Sequence, residues 1–225
     1  MGHTSPADEI VVAGIWVIIY GISGDNSDRY LAWFEGQHVE EKLSRPGYDW
    51  AAHYAISTGG PCQSSDLSYI AMFGAESSRV FFDPSPQQIK PHQSELTREM
   101  IGYRQNATSL IVSEEWADFN SSNGSSNSAV SADTIKLTLF ADSTDDQTIG
   151  SACAQDFFPA VSTHPHWVSV RKWLSSAGTP RHLALEEYQQ TSGTGPAVQT
   201  EKLNLPDPDM MMIEPAVAQR SLFRD

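Results

Sequence analysis

His38 is the residue whose type and surroundings best suit it for chemistry. It follows Trp33 and Phe34 near the end of an amphipathic stretch. At about 100° per residue of an α-helix, Leu31, Phe34, His38 and Val39 fall on one face. A helix over this stretch therefore turns His38 inward, among apolar side chains.

Glu35 lies one helical turn before His38, at a spacing that allows an i,i+3 pair. An imidazole beside a carboxylate can act as a general acid or base, because its pKa can be held near neutrality. We predict this role for His38, with Glu35 orienting it. The alternative is a buried neutral histidine whose nitrogens are satisfied by backbone or water. Glu35 and Lys42 also fall near the apolar face, which is therefore mixed in character.

His53 is a second candidate, on a stretch whose alternation predicts a strand. Trp50 and Tyr54 share one face of that strand, while His53 projects from the other, between two alanines that leave room. His53 is then either a second base or oxyanion donor that partners His38 across a pocket, or a structural histidine packed under a helix.

Aromatic side chains provide the remaining candidates. Tyr69 and Tyr103 are possible phenolic hydrogen-bond donors to a ligand oxygen, and each is also an ordinary core residue type. The candidate walls of an apolar substrate pocket are Trp33, Phe34, Trp50 and Tyr54.

Metal and cofactor signals are weak. His164 and His166 flank a proline and point the same way on an extended chain, but His182 is remote and no carboxylate lies near them in sequence. Zinc or iron needs three or more converging ligands. We predict no metal and no cofactor, and keep haem ligation through a histidine as an alternative.

The elements that position these residues follow a β-α-β-β-α-β order, which is the ferredoxin-like plan. The strands are predicted over residues 10–22, 48–57, 67–74 and 107–116, and the helices over 26–44 and 85–104, the second one interrupted near Pro91. The pattern then restarts, with a strand over 134–141, a helix over 145–161, and strands over 167–174 and 181–188.

The restart reads as an internal repeat with an offset of 119 or 120 residues. Tyr20 matches Phe140, and Tyr54 matches Trp173. We predict an α+β fold of two tandem ferredoxin-like halves that form an α/β barrel, with antiparallel sheets and the helices outside. The predicted divisions are 1–117, a Ser/Asn/Gly linker over 118–132, and 133–225 with an irregular tail. Residues 210–213 or 216–223 supply either the last strand or a packing arm.

A short motif also carries a family resemblance. An aromatic pair precedes a histidine on the first helix, and Pro-Gly-aromatic opens the second strand. The residues are Trp33-Phe34, His38, Leu43, Pro46-Gly47-Tyr48 and Ala52-His53-Tyr54. This motif resembles the dimeric α/β-barrel superfamily, and most of all the proteins related to the ethyl tert-butyl ether degradation (EthD) group. The resemblance covers residues 10–116, and a weaker similarity extends over residues 134–188.

The resemblance implies a pocket between sheet and helices, with His38 as acid or base. It leaves the reaction open, since the superfamily holds cofactor-free monooxygenases, muconolactone-type isomerases, polyketide cyclases, dehydratases and haem enzymes. The second half has no histidine near Pro159, the position that matches His38. One site per chain is therefore expected, in the first half.

Charge and cysteine content narrow the possible partners and compartment. The net charge of −14, without a cluster of basic residues, argues against nucleic-acid and anionic-membrane surfaces. The apolar run over residues 10–20 is too short to span a bilayer. Cys62 and Cys153 lack metal or redox spacing, which favours a reducing compartment and a cytoplasmic location.

These observations predict a cofactor-independent enzyme of small-molecule metabolism that acts on an apolar or aromatic substrate. The leading reaction is proton transfer by a lyase or dehydratase, an isomerase or a cyclase. The alternatives are a cofactor-free monooxygenase, a non-catalytic protein that binds a hydrophobic ligand, and a haem-binding barrel. Because two halves can close the barrel within one chain, both a monomer and a homodimer are compatible with the sequence.

Overall fold

The computed structural model describes residues 13–58, 67–121, 129–189 and 211–223, the last range as backbone only. The first half has the predicted order of elements, and its second helical region is broken around Pro91. The strands are β1 (Gly14–Ile22), β2 (Trp50–Thr58), β3 (Leu67–Ala75) and β4 (Gln105–Phe119). The helices are α1 (Gly24–Trp33), α2 (Val39–Leu43), α3 (Pro86–Ile89) and α4 (Glu95–Gly102), with 3₁₀ turns at Ser78–Phe82 and Lys90–His92.

The second half repeats the first strand, the first helix and the following hairpin. Its strands are β5 (Thr134–Leu139), β6 (Trp167–Ala177), β7 (His182–Tyr188) and β8 (Met211–Phe223), and its helices are α5 (Asp146–Ala152) and α6 (Phe158–Ser162). Of the two segments offered as alternatives for the last strand, residues 211–213 and 216–223 both belong to β8, while residue 210 lies outside the described residues. No counterpart of α3 or α4 occurs in the described part of this half.

The eight strands form a closed antiparallel barrel in the order β1-β3-β2-β8-β5-β7-β6-β4. Each half contributes four strands in the ferredoxin-like order, β4-β1-β3-β2 and β8-β5-β7-β6. The halves join where β2 pairs with β8 and where β4 pairs with β6. The predicted fold of two tandem ferredoxin-like halves in one barrel is therefore confirmed.

Each half carries one long helix that contains a five-residue π-helical segment. Phe34–His38 joins α1 to α2, and Cys153–Phe157 joins α5 to α6. The two segments are 119 residues apart, the same offset as the matched strands. The position that matches His38 is therefore Phe157, which corrects the prediction near Pro159. The first helix also begins earlier than predicted, since its N-cap is Ser23.

Strand β1 shows how the sequence forms three layers. All nine of its residues are buried, because one face lines the barrel interior and the other lies under the helices. Ile15, Val17 and Ile19 belong to the interior core, whereas Trp16 and Tyr20 belong to the core beneath the first-half helices. A third core lies under the helices of the second half.

The turn from α2 into β2 depends on a glycine. Gly47 has φ +82°, a left-handed conformation that side chains rarely adopt. This turn leaves Tyr48 packed edge-on to Phe81, with ring centroids 5.0 Å apart. The Pro-Gly-aromatic motif therefore sets the path of the chain into the strand that carries His53.

The predicted linker is structured at both of its described ends. Asp118 and Phe119 complete β4, while Val130 is buried in the barrel interior. The middle of the linker, residues 122–128, lies outside the described residues, as does Cys62. Cys153 is buried and free. Among the described helices, none has both the length and the apolar character needed to cross a membrane.

Candidate functional site

His53 lies at the centre of the layer between the first-half helix and its sheet. It is 3% exposed, and the rings of Phe34 and Tyr69 pack on it with centroids 4.4 and 5.1 Å away. The alternation of β2 turns His53 toward the helix, as the sequence predicted. Its neighbours Ala51 and Ala71 are small and buried, and Ala71 is its register partner on β3.

Both nitrogens of His53 face groups that exchange or stabilise protons. The Tyr20 hydroxyl lies 2.9 Å from Nε2, and a Glu35 carboxylate oxygen lies 3.8 Å from Nδ1. The second distance is that of an ion pair and exceeds a direct hydrogen bond. We call Glu35, His53 and Tyr20 the relay, since they align a carboxylate, an imidazole and a phenol.

Burial sets the protonation states of the relay. Desolvation lowers the pKa of His53, and the Glu35 carboxylate partly opposes that effect. Desolvation also raises the pKa of Tyr20, which therefore keeps its proton. The carboxylate favours the tautomer with hydrogen on Nδ1. The phenol then donates to Nε2 of a neutral imidazole.

Arg104 adds a positive charge above the relay. Its guanidinium lies 4.6 Å from the centroid of the Tyr20 ring, and its Nε donates to the Tyr30 hydroxyl over 2.8 Å. Sequence reasoning missed Arg104, Tyr20 and Tyr30. An isolated arginine before a strand gives no signal of its own, because the fold alone brings it to two tyrosines more than seventy positions away.

The predicted pairing of Glu35 with His38 is wrong, because Glu35 is turned toward His53. His38 is buried as expected, and its ring lies 4.4 Å from that of Trp33. Burial, followed by the charges of Lys42, Arg104 and Arg45, lowers its pKa to about 2. His38 is therefore neutral at physiological pH and is not poised near neutrality. The Phe34 ring contacts both imidazoles, at 5.6 Å from His38 and 4.4 Å from His53.

Lys42 lies close to His38, deep in the same layer. It is 2% exposed, and its ammonium sits 5.1 Å above the Trp16 ring. Burial and the nearby Arg45 charge lower the pKa of Lys42 to about 8. From the sequence, Lys42 was only a charged residue near the apolar face of the helix. In the structure it is buried beside His38.

Three of the predicted site residues do not join this cluster. Trp50 and Tyr54 project into the barrel interior, on the opposite side of the sheet, where the Tyr54 hydroxyl donates to the Ala132 carbonyl over 2.9 Å. The strand alternation already placed them opposite His53, so one pocket cannot include all of them. Tyr103 lies at the surface and donates to Glu99. Tyr69, Trp33 and Phe34 do lie around the two histidines.

The equivalent layer of the second half has a different chemistry. Lys172 replaces His53 at the matched position, and its ammonium contacts Glu115 at 3.1 Å, the Trp173 carbonyl at 3.2 Å and His182 at 2.7 Å. His182 in turn contacts Asp146 at 2.9 Å. These charges satisfy one another, so the described residues of this half contain no counterpart of the relay.

His164 and His166 do not form a metal centre. Their rings are 5.9 Å apart, and His164 packs on Tyr188. Throughout the described ranges, no group of three or more histidine, cysteine, aspartate or glutamate side chains is arranged to hold a metal ion.

Comparisons with known proteins show similarity of fold only. No protein-family model matches the sequence, and no curated protein is similar to it. The chain is similar to the crystal structure of a Fusobacterium nucleatum protein described as a monooxygenase, with 10% identity, coverage of 96% of both chains and a TM-score of 0.58. It is similar to an anthrone oxidase-like protein with 9% identity, coverage of 96% of this chain and 94% of the other, and a TM-score of 0.58.

A third similar structure is a Lactobacillus acidophilus protein described as a monooxygenase. It shares 9% identity, with coverage of 95% of this chain and all of that chain (100%), and a TM-score of 0.51. The structural similarity shows a shared ferredoxin-like α/β architecture across nearly the whole chain. At such low identity it shows the fold alone. The narrower EthD-like resemblance and the reaction stay predictions.

Proposed function

We propose that this chain is a cofactor-independent oxygenase that removes a proton from an aromatic substrate and lets the resulting anion react with O₂. The observation that carries the proposal is the relay, a buried imidazole held between a carboxylate and a phenol. General acid–base catalysis needs a base with a fixed orientation and a partner for the charge that forms on it. The relay supplies both.

Proton transfer runs through Tyr20. Its oxygen accepts the substrate proton while its own proton passes to Nε2 of His53, 2.9 Å away. The imidazolium that forms is stabilised by Glu35, 3.8 Å from Nδ1. Phe34 and Tyr69 pack on the imidazole ring, which favours this route over direct contact between substrate and His53.

The surroundings of the relay favour an aromatic substrate. Tyr30, Trp33 and Phe34 form consecutive ring contacts with centroids between 5.5 and 6.3 Å apart. Rings of this kind bind flat apolar ligands by offset and edge-on packing. The two residues beside His53 on the sheet, Ala51 and Ala71, are small and add no polar group to these surroundings.

The oxygen step needs no group beyond the substrate anion and O₂. A resonance-stabilised carbanion transfers one electron to O₂, and the radical pair combines to a peroxide anion. This anion takes back the proton held by the relay and becomes a hydroperoxide. Loss of water then gives a ketone, so a CH₂ group and O₂ become C=O and H₂O. Two similar structures are described as monooxygenases and one as anthrone oxidase-like, which favours this fate of the anion over the lyase, isomerase or cyclase reaction that the sequence predicts.

The test follows oxygen uptake and product formation with anthrone as substrate. We expect His53→Gln and Tyr20→Phe to lower kcat/KM by about 10²–10⁴-fold, the usual range for loss of general acid–base catalysis. His92→Gln is the matched control, because His92 is exposed and distant from the site in sequence. Turnover without oxygen uptake would contradict the oxygenase assignment. Full activity of both relay variants would contradict the base.

A further inference from the structure

The helix–sheet layer of the first half contains a concentration of buried polar atoms that have no hydrogen-bond partner, although one of them, His53 Nδ1, faces Glu35 at 3.8 Å. Eight such side-chain atoms occur among the described residues, and six of them belong to this layer. They are Trp33 Nε1, His38 Nδ1, Arg45 Nε, Tyr48 Oη, His53 Nδ1 and Arg104 Nη2. Buried polar groups without a partner are rare in folded proteins, and a cluster of them points to a missing ligand or water.

Most of these groups are hydrogen-bond donors. The indole of Trp33 and the guanidinium groups of Arg45 and Arg104 donate only, and a phenol or a neutral imidazole can donate. A ligand that satisfies them must therefore bring acceptors. Oxygen atoms with negative charge are the strongest acceptors available to an organic ligand.

Lys42 adds a full positive charge at the same place. It is 2% exposed, and none of the ion pairs in the described part of the chain involves it. The ring of Trp16, 5.1 Å away, contacts the ammonium, and the Glu41 carboxylate stabilises its charge without forming an ion pair with it. Buried charges in proteins are normally paired, because burial of an isolated ion costs on the order of several kcal/mol.

Further cations surround this position. Lys42, Arg104 and Arg45 each lower the pKa of His38, so all three lie close enough to act on one imidazole. Glu41 pairs with Arg45 at 3.6 Å, and Glu35 lies 3.8 Å from His53 in the same layer, so two carboxylates oppose the three cations. An excess of positive charge inside a chain with net charge −14 is a local feature that the composition does not explain.

We propose that Lys42, with the donors of Trp33 and Tyr48, binds an anionic oxygen group of the substrate, a carboxylate or an ionised phenol. The substrate class is therefore an aromatic acid or phenol with its charge held at the Lys42 end of the layer. This inference rests on the proposed function in one respect, since it takes the helix–sheet layer of the first half to be the substrate site.

The experiment compares equilibrium binding of two probes of nearly equal shape, 2-naphthoate and its neutral amide 2-naphthamide, by calorimetry at pH 7. We expect the full chain to bind the carboxylate at least tenfold more tightly. Lys42→Met keeps the length and apolar character of the side chain, and should reduce the preference to less than twofold. Lys42→Arg should retain it. Lys90→Met is the control, since Lys90 is exposed.

Each outcome decides the proposal. Equal affinity of the wild-type chain for the two probes, or a preference that survives Lys42→Met, would overturn it. 2-Naphthol, tested in parallel, shows whether an ionisable phenol gains the same dependence on Lys42. His53→Gln separates this inference from the proposed function: it should bind 2-naphthoate like the wild type while losing oxygen uptake. A wild-type chain that shows no preference for 2-naphthoate refutes the anion site and leaves the relay standing. A His53→Gln chain that keeps oxygen uptake refutes the relay and leaves the anion site standing.

Discussion

Replacing Lys42 with methionine should make the protein more stable at neutral pH. Burial lowers the pKa of this lysine from 10.5 to about 8, with Arg45 and Arg104 acting in the same direction and Glu41 opposing them. One pKa unit corresponds to about 1.4 kcal/mol, so the charged ammonium destabilises the folded state by about 3 kcal/mol. The contact with the Trp16 ring offsets about 1 kcal/mol of this. A gain of about 2 kcal/mol in unfolding free energy is expected.

The pH dependence separates this effect from a general gain in packing. Lys42 binds its proton more weakly in the folded chain, so between pH 8 and pH 10.5 the unfolded chain binds more protons and stability rises with pH. The methionine variant lacks this rise. Its advantage at pH 7 should therefore shrink by about 2 kcal/mol at pH 9.5, where the folded lysine is mostly neutral.

Urea unfolding at pH 7 and pH 9.5, followed by far-UV circular dichroism, measures both quantities. Lys90→Met is again the control, and it should change neither value, because that lysine is exposed. A Lys42→Met chain that is less stable than the wild type at pH 7 would refute the account of an unpaired buried charge. So would an advantage that does not change with pH.

Three further results are expected. Burial lowers the pKa of His38 from 6.5 in the unfolded chain to about 2 in the folded chain, so the free energy of unfolding falls as the pH drops below 6.5. His38→Asn should remove about 2 kcal/mol of the decrease in unfolding free energy that urea unfolding measures between pH 7.5 and pH 5.0. The pKa of His53 is lowered by burial, so kcat/KM should stay high below pH 6.5 before it falls, and a midpoint above 6.5 would contradict this base. Gly74→Ala should lower the free energy of unfolding measured in urea by about 1–3 kcal/mol, because the added Cβ would lie 1.9 Å from the buried Trp50 ring. An unchanged urea midpoint would contradict that packing.

The fold was predictable from the sequence because its signals are local and are repeated. Strand β1 is a continuous apolar run, Pro46-Gly47 ends the first helix, and the offset of 119 or 120 residues links Tyr20 to Phe140. The closing strand β8 was ambiguous, since its sequence contains Pro215 and follows a tail rich in glycine and proline. Only its pairing with β2 and β5 identifies it as the missing fourth strand of the second half.

The site was predictable only in part. Helical periodicity placed His38 inside, and strand alternation placed His53 toward the helix, but neither rule gives the partner of a side chain. The π-helical segment Phe34–His38 changes the angular spacing within the helix, so i,i+3 geometry no longer applies between Glu35 and His38. Tyr20 and Arg104 reach the site from strands or turns distant in sequence, and no local pattern identifies them.

The contrast between the two halves supports a ligand in the first one. Both halves keep the same strands and the same π-containing helix, so the fold alone does not require unpaired groups. In the second half Lys172 has three polar partners, whereas Lys42 in the first half has a ring face. A buried polar group without a hydrogen-bond partner costs about 1–3 kcal/mol, so several positions of the first half lower the free energy of unfolding. A ligand that supplies acceptors to these groups recovers that energy on binding. We therefore expect 2-naphthoate to raise the thermal midpoint more than 2-naphthamide at equal concentration, with the difference absent in Lys42→Met; equal midpoints in the wild type would show that these groups are satisfied without an anion.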